Sequence, residues 1–165
     1  MKQFAILMFM VGFYCAPVSA QNASQIALVQ DGKSCAGCNL FQADLSYRDG
    51  KKMDLSEARL RQANLSLATY DDVNFSGANL SVSNLFGARF NRANMTQTNL
   101  ENAIAVGTYF GSSDLTGASI VGTNFSGADL RITQGLNQAQ LDRACGDPTT
   151  RLPKGLQIPA CVSPR

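Results

Sequence analysis

The stretch Val73-Asn74-Phe75-Ser76-Gly77-Ala78-Asn79-Leu80-Ser81-Val82-Ser83-Asn84-Leu85 repeats itself every five residues. The same phase carries Asn64-Leu65, Asn94-Met95, Asn99-Leu100, Asp114-Leu115, Asn124-Phe125 and Asp129-Leu130. A small or short residue precedes each pair, as Ala63, Ala93, Thr98, Ser113 and Ala128 do. From Leu55 to Leu130, every position divisible by five holds a large apolar or aromatic side chain except Ala105. A fixed short period of this kind decides the architecture before any local propensity is weighed.

Five fits neither common element. A helix turns about 100° per residue, so Leu55, Leu60 and Leu65 would share no face. A straight strand alternates every two residues, and five is odd. A short extended piece, a corner, and another piece at a right angle satisfies the count. Four such pieces close one coil, and stacked coils pair as parallel bridges about 4.8 Å apart.

With its A(D/N)LXX pattern, residues 33–135 resemble the pentapeptide-repeat family. The resemblance implies an all-β fold, a right-handed quadrilateral parallel β-helix of about five coils. That hand agrees with the general preference of parallel β connections. The central Leu or Phe then points inward, as does the small residue two before it. The residue just before the centre and the two after it face solvent or turn the corner. Gly77, Gly87, Gly107, Gly117, Gly122 and Gly127 stand at repeat ends, where a corner can need a relaxed backbone. Every fourth centre shares a face, so Tyr70, Phe90 and Phe110 form an aromatic stack that is read as core filling.

Two places break the pattern. Arg48-Asp49-Gly50-Lys51-Lys52 keeps the count, but Arg48 stands where a small residue belongs and Gly50 where a plug belongs. A distorted corner or bulge is expected there, with Lys51 facing Asp71 and Lys52 facing Asp72. The second break is Ala103-Ile104-Ala105-Val106-Gly107, which turns apolar side chains outward. With Phe86 one coil below and Tyr109 around the next corner, Ile104 and Val106 form a candidate partner patch. Scattered surface apolars are the plainer alternative.

The flanks predict a leader and two closures. Lys2, the apolar run Phe4 to Tyr14, and Val18-Ser19-Ala20 read as a secretory signal peptide cut after Ala20, with residues 21–32 a mobile N-terminal segment. The apolar run is shorter than the about 20 residues of a stable membrane span. The expected location is periplasmic or extracellular, where disulfides are permissible. Cys15 falls in the leader, leaving Cys35, Cys38, Cys145 and Cys161. Cys35 and Cys38 occupy inward positions and can form a structural disulfide, stay free, or act in redox or metal chemistry. Residues 136–165 read as a cap: Asn137 can start a helix over Gln138 to Cys145, and the proline-rich remainder should run extended. Cys161 can return to Cys145.

Composition narrows function. The chain of 165 residues is 45% apolar, carries a formal charge of +2 and contains no histidine. That removes the usual general base near neutral pH and the commonest metal ligand. No nucleophile–base pair, phosphate-cradling loop or metal cluster is visible, so no catalytic, cofactor-binding or metal residue is assigned and no cofactor is expected. The charge balance gives no footprint for nucleic acid. Some family members inhibit DNA gyrase by imitating DNA with an acidic rod, and export with near-zero charge argues against that role. The expected function is a non-enzymatic exported scaffold or protein-binding module, its partner another protein or a second copy. The alternative is a thiol/disulfide redox or envelope-stress protein acting through Cys35 and Cys38.

Overall fold

The computed structural model describes residues 21–162. The leader expected at 1–20, with Cys15, lies outside the described residues.

Every fifth residue makes one parallel bridge to the residue twenty positions on, as Asn39 does with Arg59, Asn64 with Asn84 and Asn94 with Asp114. The N–H of each centre donates upward, as Leu65 does to the Asn84 carbonyl at 2.7 Å. The N–H before each centre donates downward, as Asn84 does to the Ala63 carbonyl at 3.0 Å. Five coils stack this way. The inward residues Leu45, Leu65, Phe75, Leu85 and Phe110 are fully buried. Each such centre contributes about 1.5–3 kcal/mol of apolar burial.

The corners explain the rest of the motif. The last residue of each repeat from Gln42 to Gly127 has positive φ, from 54° at Ser112 to 69° at Gly117. The Ala63 N–H closes one such corner on the Leu60 carbonyl at 2.9 Å, with Gln62 at φ 61°. This is a type II turn, which favours glycine at that residue. The Asn or Asp before each centre then accepts from the N–H two residues on: Ser66 to Asn64 Oδ1 at 3.1 Å, Phe86 to Asn84 at 3.0 Å. The motif's polar position therefore secures the corner backbone, beyond merely facing solvent.

Polar residues at the small inward position are satisfied by backbone. Thr98, Thr108, Thr123 and Thr133 donate to carbonyls of the coil below, Phe75, Leu85, Leu100 and Phe110, at 2.7–2.9 Å. Ser83 and Ser113 donate within their own coil. Tyr70, Phe90 and Phe110 stack inside the third face with centroids 6.0 and 5.5 Å apart.

The first break keeps its register. Asp49 bridges Thr69, and the Gly50 N–H donates to the Thr69 carbonyl at 2.8 Å, so no bulge forms. Arg48 turns outward instead, and Tyr70 with Met53 occupies the space inside Gly50. The expected lysine pairs are also replaced. Lys51 reaches Asp49 at 3.4 Å, while Asp71 pairs with Arg89 and Asp72 with Arg92. Arginine's planar fork holds a carboxylate by two bonds where a lysine offers a point charge.

Both ends are closed. Residues expected to be mobile form α1, Ala23–Gln30, capped by the Asn22 side chain. Val29 is buried against the first coil. Gln25 Oε1 accepts from the Asn39 N–H, and Gln30 Nε2 donates to the Asp44 carbonyl, each at 2.8 Å. Ser34 Oγ accepts from the Asp54 N–H at 2.8 Å. These groups stand in for a coil that is not there. At the other end α2 is only Gln138–Leu141, shorter than the expected helix, with Asn137 and Gln140 forming a capping box. Stacking continues past Gly135 in irregular steps: Cys145 bridges Asn124, Arg151 bridges Asp129 and Ala160 bridges Gly146. The tail is not fully extended, since Thr150 turns back to Asp147 and Leu156 to Pro153.

Candidate partner-binding face

The second face is built over the centres Leu45, Leu65, Leu85, Ala105 and Phe125. Inside, this column is buried throughout. Outside, it is the apolar side of the molecule. Phe86 and Ile104 are each 48% exposed. Val106 is half-buried beside them. The sequence reading missed Tyr47, Leu67 and Val82, which are also exposed and lie along the same face and its corner. The Leu67 side chain runs up over Gly87, next to Phe86, so the apolar surface is continuous between these coils. A signal was available: these residues share the columns of Phe86 and its corner neighbours at multiples of twenty.

Tyr109 does not join this patch. Its hydroxyl end lies over Gly111, and the Arg89 guanidinium sits 5.9 Å from its ring centroid. It belongs to the third face, which is charged. There the buried Asp71 carboxylate accepts from Arg89 Nε at 3.0 Å and from the Asn91 N–H at 3.2 Å. Asp129 accepts two bonds from Arg131, which hold its carboxyl below the ordinary carboxylate range. Arg92 does the same for Asp72. Within the five coils the second face contains one carboxylate, Asp44, whose pKa is lowered by hydrogen bonds from Ser46, and Asp147 of the tail accepts from the Gly127 N–H at its upper end.

The cysteines sit at the two ends. Cys35 and Cys38 are brought to disulfide distance with Cα atoms 5.5 Å apart, both buried in the first corner. Cys145 and Cys161 are joined likewise with Cα atoms 4.7 Å apart, tying the tail across the last coil. Among the described residues, no group of three or more His, Cys, Asp or Glu side chains could hold a metal ion. No helix among them is long and apolar enough to cross a membrane. The ion pairs Asp71–Arg89, Asp72–Arg92 and Asp129–Arg131 thus lie away from the second face.

The pentapeptide-repeat family model matches eight copies, over residues 34–69, 54–92, 71–102 and 93–131. No curated protein matches the chain. Among solved structures, a pentapeptide repeat protein of the Arabidopsis thaliana thylakoid lumen is 32% identical, covering 62% of this chain and 72% of that one, with a TM-score of 0.45. HetL, a pentapeptide repeat protein involved in heterocyst differentiation regulation from the cyanobacterium Nostoc, is 23% identical over 78% of this chain and 60% of its own, with a TM-score of 0.42. QnrB1, a plasmid-mediated fluoroquinolone resistance protein, is 18% identical over 77% and 78%, also at 0.42. With its repeat motif, its twenty-residue parallel ladder and a family match over most of the repeats, this chain belongs to the pentapeptide-repeat family and adopts its right-handed quadrilateral β-helix.

Proposed function

We propose that the chain is an exported, non-enzymatic protein-binding module that recognises its partner through the second face. The observation that carries this reading is the concentration of exposed Leu67, Phe86 and Ile104 on a rigid face, while the ion pairs lie elsewhere. Exposed apolar surface depleted of charge is the compositional mark of an interface core. Residues 1–20 supply the export signal of this proposal, and both cysteine pairs act as structural bridges in an oxidising compartment. Burial of Cys35 and Cys38 in the coil favours that role over a redox one.

The test is a crosslinking pull-down of the exported protein from its native envelope, comparing wild type with Val106→Asp. A discrete partner captured by wild type and lost in the variant, with circular dichroism and melting unchanged, supports the reading. Equal capture by both overturns it. Intact-mass measurement checks the leader separately: a mature protein beginning at Gln21 is expected.

A further inference from the structure

We infer that the upper end of the first face is a carboxylate-binding cleft whose donors are the Ile120 N–H and Arg143. The first face is built over the centres Leu40, Leu60, Leu80, Leu100 and Ile120. The cleft lies apart from the second face, so it stands or falls independently of the partner reading.

In the coils below, each centre on this face donates its N–H to a carbonyl one coil up, as Leu100 does to Ser119 at 2.8 Å. The carbonyl two residues earlier accepts from the same coil, as Thr98 does from the Ser119 N–H at 3.0 Å. At the top of the second face Cys145 supplies both groups, accepting from the Phe125 N–H at 2.8 Å and donating to the Thr123 carbonyl at 3.0 Å. Arg151 does the same over the third face for Leu130 and Ala128. Over the first face only half of this exchange is made. Gln140 Nε2 donates to the Ala118 carbonyl at 2.9 Å, in place of a peptide N–H. Its Oε1 does not supply the acceptor, because it is held by the Asn137 N–H at 3.0 Å. Among the described residues, no group accepts from the Ile120 N–H, although Ile120 is only 2% exposed. A buried N–H left without an acceptor is rare in a folded chain.

The acceptor's place is open. A cleft of about 270 Å³ lies between this last rung and the α2 segment, lined by Ala118, Ile120, Asn137, Gln140 and Arg143. Gln140 already fills the donor position of a pairing strand, so a peptide rung that brings both an N–H and a carbonyl does not fit. A group that only accepts does. Arg143 makes no ion pair among the described residues. The neighbouring acids are engaged elsewhere, Glu101 with the Ser119 hydroxyl at 2.7 Å and Asp142 with Gln138 Nε2 at 2.6 Å. An acceptor-only group that suits both a backbone N–H and a guanidinium is a carboxylate, with one oxygen for each. It can come from a peptide terminus, which backbone donors capture in other proteins, or from a free organic acid.

Nuclear magnetic resonance of the isotope-labelled full chain tests this through the Ile120 amide signal. The probes are sodium acetate, a short peptide with a free C-terminal carboxylate, and the same peptide amidated, with sodium chloride as the ionic-strength control. The expected result is a saturable shift of the Ile120 amide with acetate, weakened about tenfold by Arg143→Gln, the size of one lost charge-assisted hydrogen bond. Arg143→Lys, which keeps the charge, should recover part of it. Tighter binding of the free-acid peptide than of acetate, lost on amidation, supports the cleft and assigns it to peptide termini. Equal or weaker binding of that peptide supports the cleft and assigns it to free organic acids. No saturable shift with either carboxylate, an equal shift with chloride, or a shift indifferent to Arg143→Gln overturns the inference.

Discussion

Tyr70 occupies the space that Gly50 leaves inside the first coil: a carbon added to Gly50 would lie 2.9 Å from the Tyr70 ring and 2.6 Å from Met53 Sδ. The Tyr70 hydroxyl also donates to the Leu45 carbonyl at 3.4 Å. The missing plug is thus supplied from the coil above. Gly50→Leu, which restores the motif, should destabilise the protein by about 1–3 kcal/mol through overpacking. Adding Tyr70→Leu should recover part of that loss, because neighbouring substitutions couple. Urea unfolding of the two singles and the double decides it; additive effects would contradict the coupling.

Val82 sits at a corner with φ 59°. Among the described residues it is the β-branched side chain held in this left-handed conformation, where such residues are strained. Val82→Gly should raise stability by about 1 kcal/mol, the strain relieved exceeding the added chain entropy. Gly107→Val, at φ 66°, should have the opposite sign. Denaturation midpoints of both variants provide the check.

Acid should loosen the rod. Asp44 is lowered chiefly by the Ser46 hydroxyl, and Asp129 chiefly by its hydrogen bond from Arg131. A folded pKa below the unfolded value gives stability that is present above the unfolded pKa, about 3.9 for aspartate, and lost as pH falls through the folded one. The midpoint should stay flat from about pH 5 to 8 with respect to these groups and fall below about pH 4. Solvent screening makes each contribution modest. In Asp129→Asn the acid slope should be shallower than in wild type, measured by urea unfolding at successive pH values.

The two cysteine pairs should differ in weight. Cys145 and Cys161 are separated by 16 residues, Cys35 and Cys38 by 3. On chain entropy alone, the Cys145/Cys161 serine double variant should lose about 3 kcal/mol and the Cys35/Cys38 one about 2. Loss of the Cys145–Cys161 link should also open the tail to proteolysis after Arg151 or Lys154, read by mass spectrometry of limited digests.

The repeat was legible because each centre obeys one rule fixed by the coil's geometry. What escaped the sequence depends on contacts between coils. α1 has eight residues, too few to hold a helix alone, and it exists because Val29, Gln25 and Gln30 meet the first coil's open edge. A distorted corner was expected at Arg48, which stands at an inward position, but a guanidinium cannot be buried unpaired and the side chain turns outward with the register kept. Asp71 was assigned to a lysine by column, and the arginine fork of Arg89 took it. Tyr109 shares a neighbourhood with Val106 by count, but Gly111 gives its ring room on the other side. Phe86 and Ile104 could be read as outward, whereas Leu67 and Tyr47 were overlooked because corner positions were treated as indifferent to chemistry.

The amides of Gln25 and Gln30 have a consequence for length. They imitate peptide groups at the edge where a sixth coil would dock, and the bridged tail does similar duty at the opposite edge. Such stoppers count the rungs of the ladder, whereas the ladder itself has no preferred number. An extra twenty-residue unit spliced in after Leu80 should therefore lengthen the protein by about 4.8 Å and leave both terminators engaged. The molecule is a ruler whose graduation lies in the repeat and whose extent is set by its two ends.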